Sequence, residues 1–111
     1  MKVFISQPMK GIPQEEIDKR RKEIIQAINN RYLNENIEFI YSIITEYPNE
    51  DIESVPVWYL AKSIDKLSHA TLAYFDEGWE DTRGCVIEHI ICEKYKIKTI
   101  DYINLFTCEK E

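Results

Sequence analysis

Several patterns are missing from this 111-residue chain, and each absence closes off a class of function. Only three glycines occur, and they form neither Gly-x-x-x-x-Gly-Lys nor Gly-x-Gly-x-x-Gly, so Walker-type phosphoryl transfer and the dinucleotide fingerprint lack support. No apolar run approaches the roughly 20 residues needed to cross a bilayer. Cysteine is scarce and odd in number, three without paired spacing, which fits a reducing cytoplasm better than a disulfide framework. Positive charge is outweighed, 14 Lys and Arg against 20 Asp and Glu. The resulting net charge of −6 argues against nucleic-acid backbone or an anionic membrane surface as partner, while leaving room for a local basic pocket holding one phosphate. The opening Val3-Phe4-Ile5 gives way at once to Ser6-Gln7-Pro8, so no secretory h-region is present. What is there, 44% hydrophobic and 31% charged residues, is ordinary for a soluble globular protein. The expectation is one cytoplasmic domain over residues 1–111, without membrane or nucleic-acid polymer.

The hydrophobic pattern alternates between strand and helix. Residues 2–5 are a β-branched and aromatic run that reads as a first strand, ended by Pro8 and Gly11. Residues 14 to about 32 form an amphipathic helix, with Ile17, Arg21, Ile24, Ile25, Ile28 and Tyr32 near one face and Pro13 at its first position. Acidic residues precede basic ones along it, so Lys19 to Lys22 read as a solvated face rather than a nucleic-acid patch. Residues 37–44 read as a second strand and 45–56 as a long polar loop, of a length more often functional than filler. A second helix follows over 57–69, its apolar face marked by Val57, Leu60, Ala61, Ile64 and Leu67. Strand 71–75, helix 85–95 and strand 97–102 complete the pattern, and the tail from Leu105 reads as a loose terminus or a subunit contact. This order predicts an α/β fold, a parallel sheet of about four to five strands with helices on both faces.

The chain is organised around Gly78-Trp79-Glu80-Asp81-Thr82-Arg83-Gly84-Cys85-Val86-Ile87-Glu88-His89. Here a buried strand passes through a glycine-containing loop into a helix that opens at Asp81 or Thr82, both good N-caps. Such a start offers unpaired N–H groups and the positive end of the helix dipole to an anion, and Gly84 permits close backbone approach. Val86, Ile87, Ile90 and Ile91 read as the apolar stripe, with Glu88 off it in the second turn. From the first turn to Glu88 is roughly 6–9 Å of rise, similar to the span between a nucleotide's 5′-phosphate and its anomeric carbon. A fixed carboxylate at that distance is a candidate nucleophile; the plainer alternative is an ordinary solvent-facing glutamate.

Other residues carry paired readings. Ser6 and Gln7 leave the C-terminal end of the first strand, where open α/β sheets bind ligands, and are candidates to hold a sugar or base or are simple turn residues. Trp79 either stacks on a base or caps the sheet edge. Cys85, His89 and Cys92 share part of a helix face, but Cys85 and Cys92 lie roughly 10 Å apart, too far for one zinc ion, so no metal is expected. Cys85 at a helix N-terminus lacks an obvious base and reads as a small buried cysteine rather than a nucleophile.

The opening Val3-Phe4-Ile5-Ser6-Gln7-Pro8-Met9-Lys10-Gly11 resembles the start of the nucleoside 2-deoxyribosyltransferase-like superfamily. The blocks Trp58-Tyr59-Leu60-Ala61-Lys62-Ser63, Ala70 to Phe75 and Gly78 to His89 are similar to a small, largely uncharacterised branch of it. The resemblance runs from Met1 to about Tyr102, and its blocks are specific in combination, weak singly. It implies a three-layer Rossmann/flavodoxin-like domain without a cofactor, acting on a nucleoside or nucleoside 5′-monophosphate. By resemblance Glu88 attacks C1′, the base departs, and a covalent glycosyl-enzyme is resolved by another base or by water, as in a retaining glycosidase. Thr82, Arg83 and Gly84 match the 5′-phosphate site; Ser6, Gln7, Pro8 and Met9 match the loop around base and sugar; Gly78 and Trp79 lie beside them. Relatives assemble as homodimers or higher homo-oligomers, with neighbouring subunits completing each site.

The sequence departs from that family at one position. Characterised members carry an aspartate on the second helix that assists the leaving base, and Ser63 is the best match here. Asp65 lies about 200° around the helix from it and does not substitute from the same face. An N-glycosidase or transferase with Glu88 and Ser63 as its catalytic residues therefore stands beside a catalytically silent nucleotide-binding or sensing module.

Overall fold

The structure is a computed structural model and describes residues 1–48 and 51–106. Strands β1 (Lys2–Ser6), β2 (Glu38–Phe39), β3 (Leu72–Phe75) and β4 (Lys98–Asp101) form one parallel sheet in the order β2-β1-β3-β4. Helices α1 (Gln14–Arg31), α2 (Val55–Leu67), α3 (Arg83–Tyr95) and the short α4 (Tyr102–Phe106) connect and follow them. This is a Rossmann/flavodoxin-like α/β fold. Among the described residues no helix is long and apolar enough to cross a membrane.

Alternation along the two central strands makes the layers. Val3 and Ile5 of β1 and Leu72 and Tyr74 of β3 pack on one side with Ile24 and Ile28 of α1, Ile100 and Leu105. Phe4, Ala73 and Phe75 face the other side with Leu67 at the end of α2 and Cys92 of α3. Both faces of β1 and β3 are thus buried, the usual state of a parallel sheet, and each large apolar side chain so removed from water contributes about 1.5–3 kcal/mol.

Ends and edges differ from the sequence expectation for local reasons. The second strand, expected over 37–44, pairs only at Glu38 and Phe39. After the Ile40 amide donates to the Val3 carbonyl (2.8 Å), the chain leaves the sheet, and Arg21 holds it there by donating to Ile40 O (3.2 Å) and Ser42 Oγ (3.4 Å). The β-branched run thereby serves as a wall rather than a strand. Pro13 precedes the first turn of α1, and its carbonyl accepts from the Glu16 and Ile17 amides (3.0 and 3.1 Å). Helix α2 starts two residues early because Ser54 caps it, its Oγ accepting from the Val57 amide (3.4 Å), with Pro56 in the first turn where a missing N–H costs nothing. Of its expected apolar face only Leu67 is fully buried, and Val57 is 61% exposed. Leu105, expected in a tail that is either a loose terminus or a subunit contact, is buried in the core from α4; residues 107–111 of that tail lie outside the described residues.

Candidate active site

The strand order reverses between β1 and β3, and in such sheets the crevice beyond the strand C-termini is where ligands sit. Ser6 ends β1 there, in register with Phe75 of β3. After β3 the chain turns through Gly78, whose φ of 91° is the left-handed conformation glycine tolerates, and a single 3-10 turn (Trp79–Asp81) leads into α3. Thr82 takes the N-cap position but spends its hydroxyl on the Gly78 carbonyl (3.0 Å), which leaves the first turn of α3 without a side-chain cap.

Glu88 is buried, with only 6% of its surface exposed. The solvent-facing alternative is therefore wrong, and so is the expected stripe of α3. Its inward residues are Cys85, Glu88 and Cys92, while Ile90 is exposed and Val86, Ile87 and Ile91 are half-buried. Apolar residues surround this helix on several faces, so periodicity alone does not select one. Ser6 Oγ donates to Glu88 Oε1 and Ser63 Oγ of α2 donates to Oε2, both at 2.6 Å. Burial pushes the Glu88 carboxyl above its ordinary range, and the two serine hydrogen bonds pull it back down by stabilising the charged form. The neighbouring Cys85 thiol is pushed up to about 11, chiefly by burial, so it stays protonated near neutrality and is no nucleophile.

The clamped carboxylate lies at the wall of an inner cavity of about 250 Å³, bordered also by Ser6, Gln7, Lys10 and Thr82. Met9, Ser42, Ser63 and Gly84 border both this cavity and an outer one of about 560 Å³, so the two form one cleft. The outer part is mainly aliphatic, with Ile43, Ile44, Leu60 and Ile87 on its walls, Tyr59 among them, and Arg83 at its edge.

Ser6, Gln7, Met9, Ser63, Thr82, Arg83, Gly84 and Glu88 are thus gathered on the cleft. Gln7 also braces the first loop, its Nε2 donating to the Ile17 carbonyl of α1 (3.0 Å). Pro8, Gly78 and Trp79 border neither cavity. Pro8 lies over Gly78, 3.6 Å from where a side chain there would begin, and lines a separate depression beside Arg20. The Trp79 ring stacks on His89 (4.3 Å between centroids) and tilts against Phe75 (5.5 Å), the sheet-capping alternative.

Sequence reading missed three contributors. Asp76, the residue after β3, is buried and accepts from Arg20 through Nε and Nη2 (2.8–3.2 Å) and from the Tyr74 hydroxyl (2.7 Å), while its amide donates to the Ser6 carbonyl (3.0 Å). Its position immediately beyond a strand C-terminus was the available signal. Ser42 and the Ile43-Ile44 wall carried none, because β-branched residues suggest a strand. Among the described residues no group of three or more His, Cys, Asp or Glu side chains is arranged to hold a metal. Comparison with known proteins finds no matching family model, no matching curated protein and no matching solved structure.

Proposed function

We propose that this protein cleaves or transfers the N-glycosidic bond of a nucleoside or nucleoside 5′-monophosphate, with Glu88 as nucleophile. The observation that carries this reading is the buried carboxylate of Glu88 in the cleft, with each oxygen held by a serine 2.6 Å away. Burying a charge is costly unless it is hydrogen-bonded, and a surface helix offers no reason to accept that cost. An active centre does, because a desolvated carboxylate stabilises positive charge developing at an anomeric carbon. The uncapped first turn of α3, with Arg83 and Lys10 nearby, suits a 5′-phosphate. Ser63 positions Glu88 rather than replacing the family's acid, since its proton is already directed at Oε2.

The protein acts in the cytoplasm as a homodimer or higher homo-oligomer. The exposed apolar residues Val55 and Val57 on α2 and Ile90 on α3 support assembly. A second reading, a silent nucleotide-binding module, is favoured by one observation: no Asp or Glu other than Glu88 borders the cleft among the described residues.

The test is incubation with a panel of 2′-deoxynucleosides and their 5′-monophosphates, following free base by chromatography beside Glu88→Gln. Release by the wild type and loss in the variant supports the glycosidase. Ligand-induced melting shifts in both proteins, with release from neither, supports the binding module. Equal release from both removes Glu88 as nucleophile.

A further inference from the structure

Cleaving the bond between C1′ and an ordinary purine or pyrimidine puts an electron pair on the base nitrogen, and the base leaves readily only if a proton reaches it. Among the described residues the cleft offers no group suited to deliver one. Glu88 is the nucleophile, and both its oxygens are occupied as acceptors. The hydroxyl protons of Ser6 and Ser63 point at that carboxylate, not at a ligand. No other carboxyl and no imidazole borders either cavity among the described residues; His89 is stacked beneath Trp79 instead. The Cys85 thiol is buried at the inner wall, and Lys10 and Arg83 are exposed cations suited to phosphate. Tyr59 borders only the outer part, and phenols as a class are far weaker acids than carboxyl groups.

We infer that the substrate is an N-glycoside whose leaving nitrogen already carries the positive charge, a pyridinium nucleotide, because this cleft joins a serine-clamped nucleophile to an aliphatic chamber with no second carboxyl and no imidazole among the described residues. The inference rests on Glu88 being a glycosyl nucleophile. Attack in line puts the leaving ring on the side of the sugar away from Glu88, toward the chamber formed by Ile43, Ile44, Leu60 and Ile87. Glu88 Oε forms a bond to C1′ as the C1′–N bond breaks, and the electron pair passes to the ring nitrogen, which becomes neutral. No proton is consumed. Water then attacks C1′, the glycosyl ester returns its electron pair to Glu88, and the water's spare proton goes to solvent. During the first step positive charge leaves an aliphatic environment, where it is poorly solvated, and gathers at the sugar beside the carboxylate. Both changes lower the energy of the transition state more than that of the bound substrate.

The experiment compares nicotinamide mononucleotide with AMP and dAMP on the full chain, from pH 5 to 9, measuring free base with Glu88→Gln as control. The expected kcat/KM at pH 8 is at least about 100-fold higher for the pyridinium nucleotide, the factor a missing general acid withholds from the others. Purine release is expected to rise about tenfold per pH unit on acidification down to the acid limb set by Glu88 itself, because the proton comes from solvent. Pyridinium cleavage lacks that rise. Purine release at pH 8 equal to or faster than nicotinamide release overturns the inference and leaves the glycosidase standing. No release from any compound, by protein whose circular dichroism shows it folded, overturns both.

Discussion

Ser6 donates a 2.6 Å hydrogen bond to Glu88 across 82 positions of sequence. One residue ends the strand at the switch point of the sheet and the other lies in the second turn of α3. The bond therefore fastens the carboxylate to a central strand of the sheet, buried from Val3 onward, while Ser63 fastens its other oxygen to the less buried α2. A carboxylate so held has little freedom to rotate, which is what the proposed attack on an anomeric carbon requires.

Removing either donor leaves a buried charge less solvated. Ser6→Ala and Ser63→Ala should each raise the Glu88 carboxyl further, moving the acid limb of the pH–rate profile to higher pH. Hydrogen bonds to charged groups contribute about 1.5–3 kcal/mol, so each change should lower neutral turnover by roughly ten- to a hundredfold. Because the two share one acceptor, the double variant should depart from additivity. Carbon-13 NMR of the Glu88 carboxyl follows the titration directly, whether or not turnover is observed. An unchanged titration in both variants would contradict the clamp.

Glu88 should also cost stability. A carboxyl raised above its ordinary 4.5 binds more protons in the folded than in the unfolded chain. Stability then falls as pH rises from that ordinary value through the folded one. Glu88→Gln should remove this fall, making the variant more stable at pH 7 by roughly 0.5–2 kcal/mol, with the difference shrinking toward pH 4. Urea unfolding at the two pH values measures it. A variant equally or less stable at pH 7 would mean that the serines fully compensate for burial.

Much of this arrangement was legible in the sequence, and the rest was hidden for identifiable reasons. Strands 2–5 and 71–75 stand out because both their faces are buried, and the helices follow from spacing and caps. Glu88 stands out through its distance from the helix start, but its burial does not: α3 carries isoleucines on more than one face, and the side that turns inward is the one whose Cys92 packs on the sheet and whose glutamate meets the β1 and α2 serines. The edge at 37–44 misled because a β-branched run also serves as a cavity wall once Arg21 pulls residues 40–42 off the sheet. Asp76 was passed over because its partner Arg20 lies 56 residues earlier, a contact that only the fold creates.

Gly84 separates stability from ligand binding. It lies in the first turn of α3, where φ is not positive, and an added Cβ would meet only Leu60 Cδ1 at 4.0 Å. Gly84→Ala should thus stabilise the fold by about 0.4–1 kcal/mol through the unfolded state. The same methyl group would stand where the two cavities meet and should weaken binding of the proposed nucleotide ligand, seen as a lower affinity by calorimetry together with a higher Tm. At Gly78 the opposite holds: φ is 91°, so Gly78→Ala should destabilise by about 1–2 kcal/mol although its contact with Pro8 is ordinary.

Arg20 and Asp76 carry the last prediction. Asp76 is buried, and the guanidinium approaches it at 2.8 Å through Nη2 while only partly exposed itself, with the Phe106 ring 4.6 Å below. Tyr74 donates from the other side, and its phenol is raised far above the usual range by burial and by the carboxylate it touches. Arg20→Ala would leave the Asp76 charge with the Tyr74 hydroxyl as its remaining side-chain donor, which should destabilise the fold by about 3 kcal/mol. Replacing both charges, Arg20→Met with Asp76→Asn, should cost less than Arg20→Ala alone, since no uncompensated charge remains. The Asp76 amide holds the Ser6 carbonyl, so the single variant should also loosen the end of β1 and reduce turnover beyond what the unfolded fraction explains. Stability from urea titration, set against activity per folded molecule, separates the two effects. An Arg20→Ala protein with wild-type activity per folded molecule would mean that this ion pair secures the sheet without governing the geometry at Glu88.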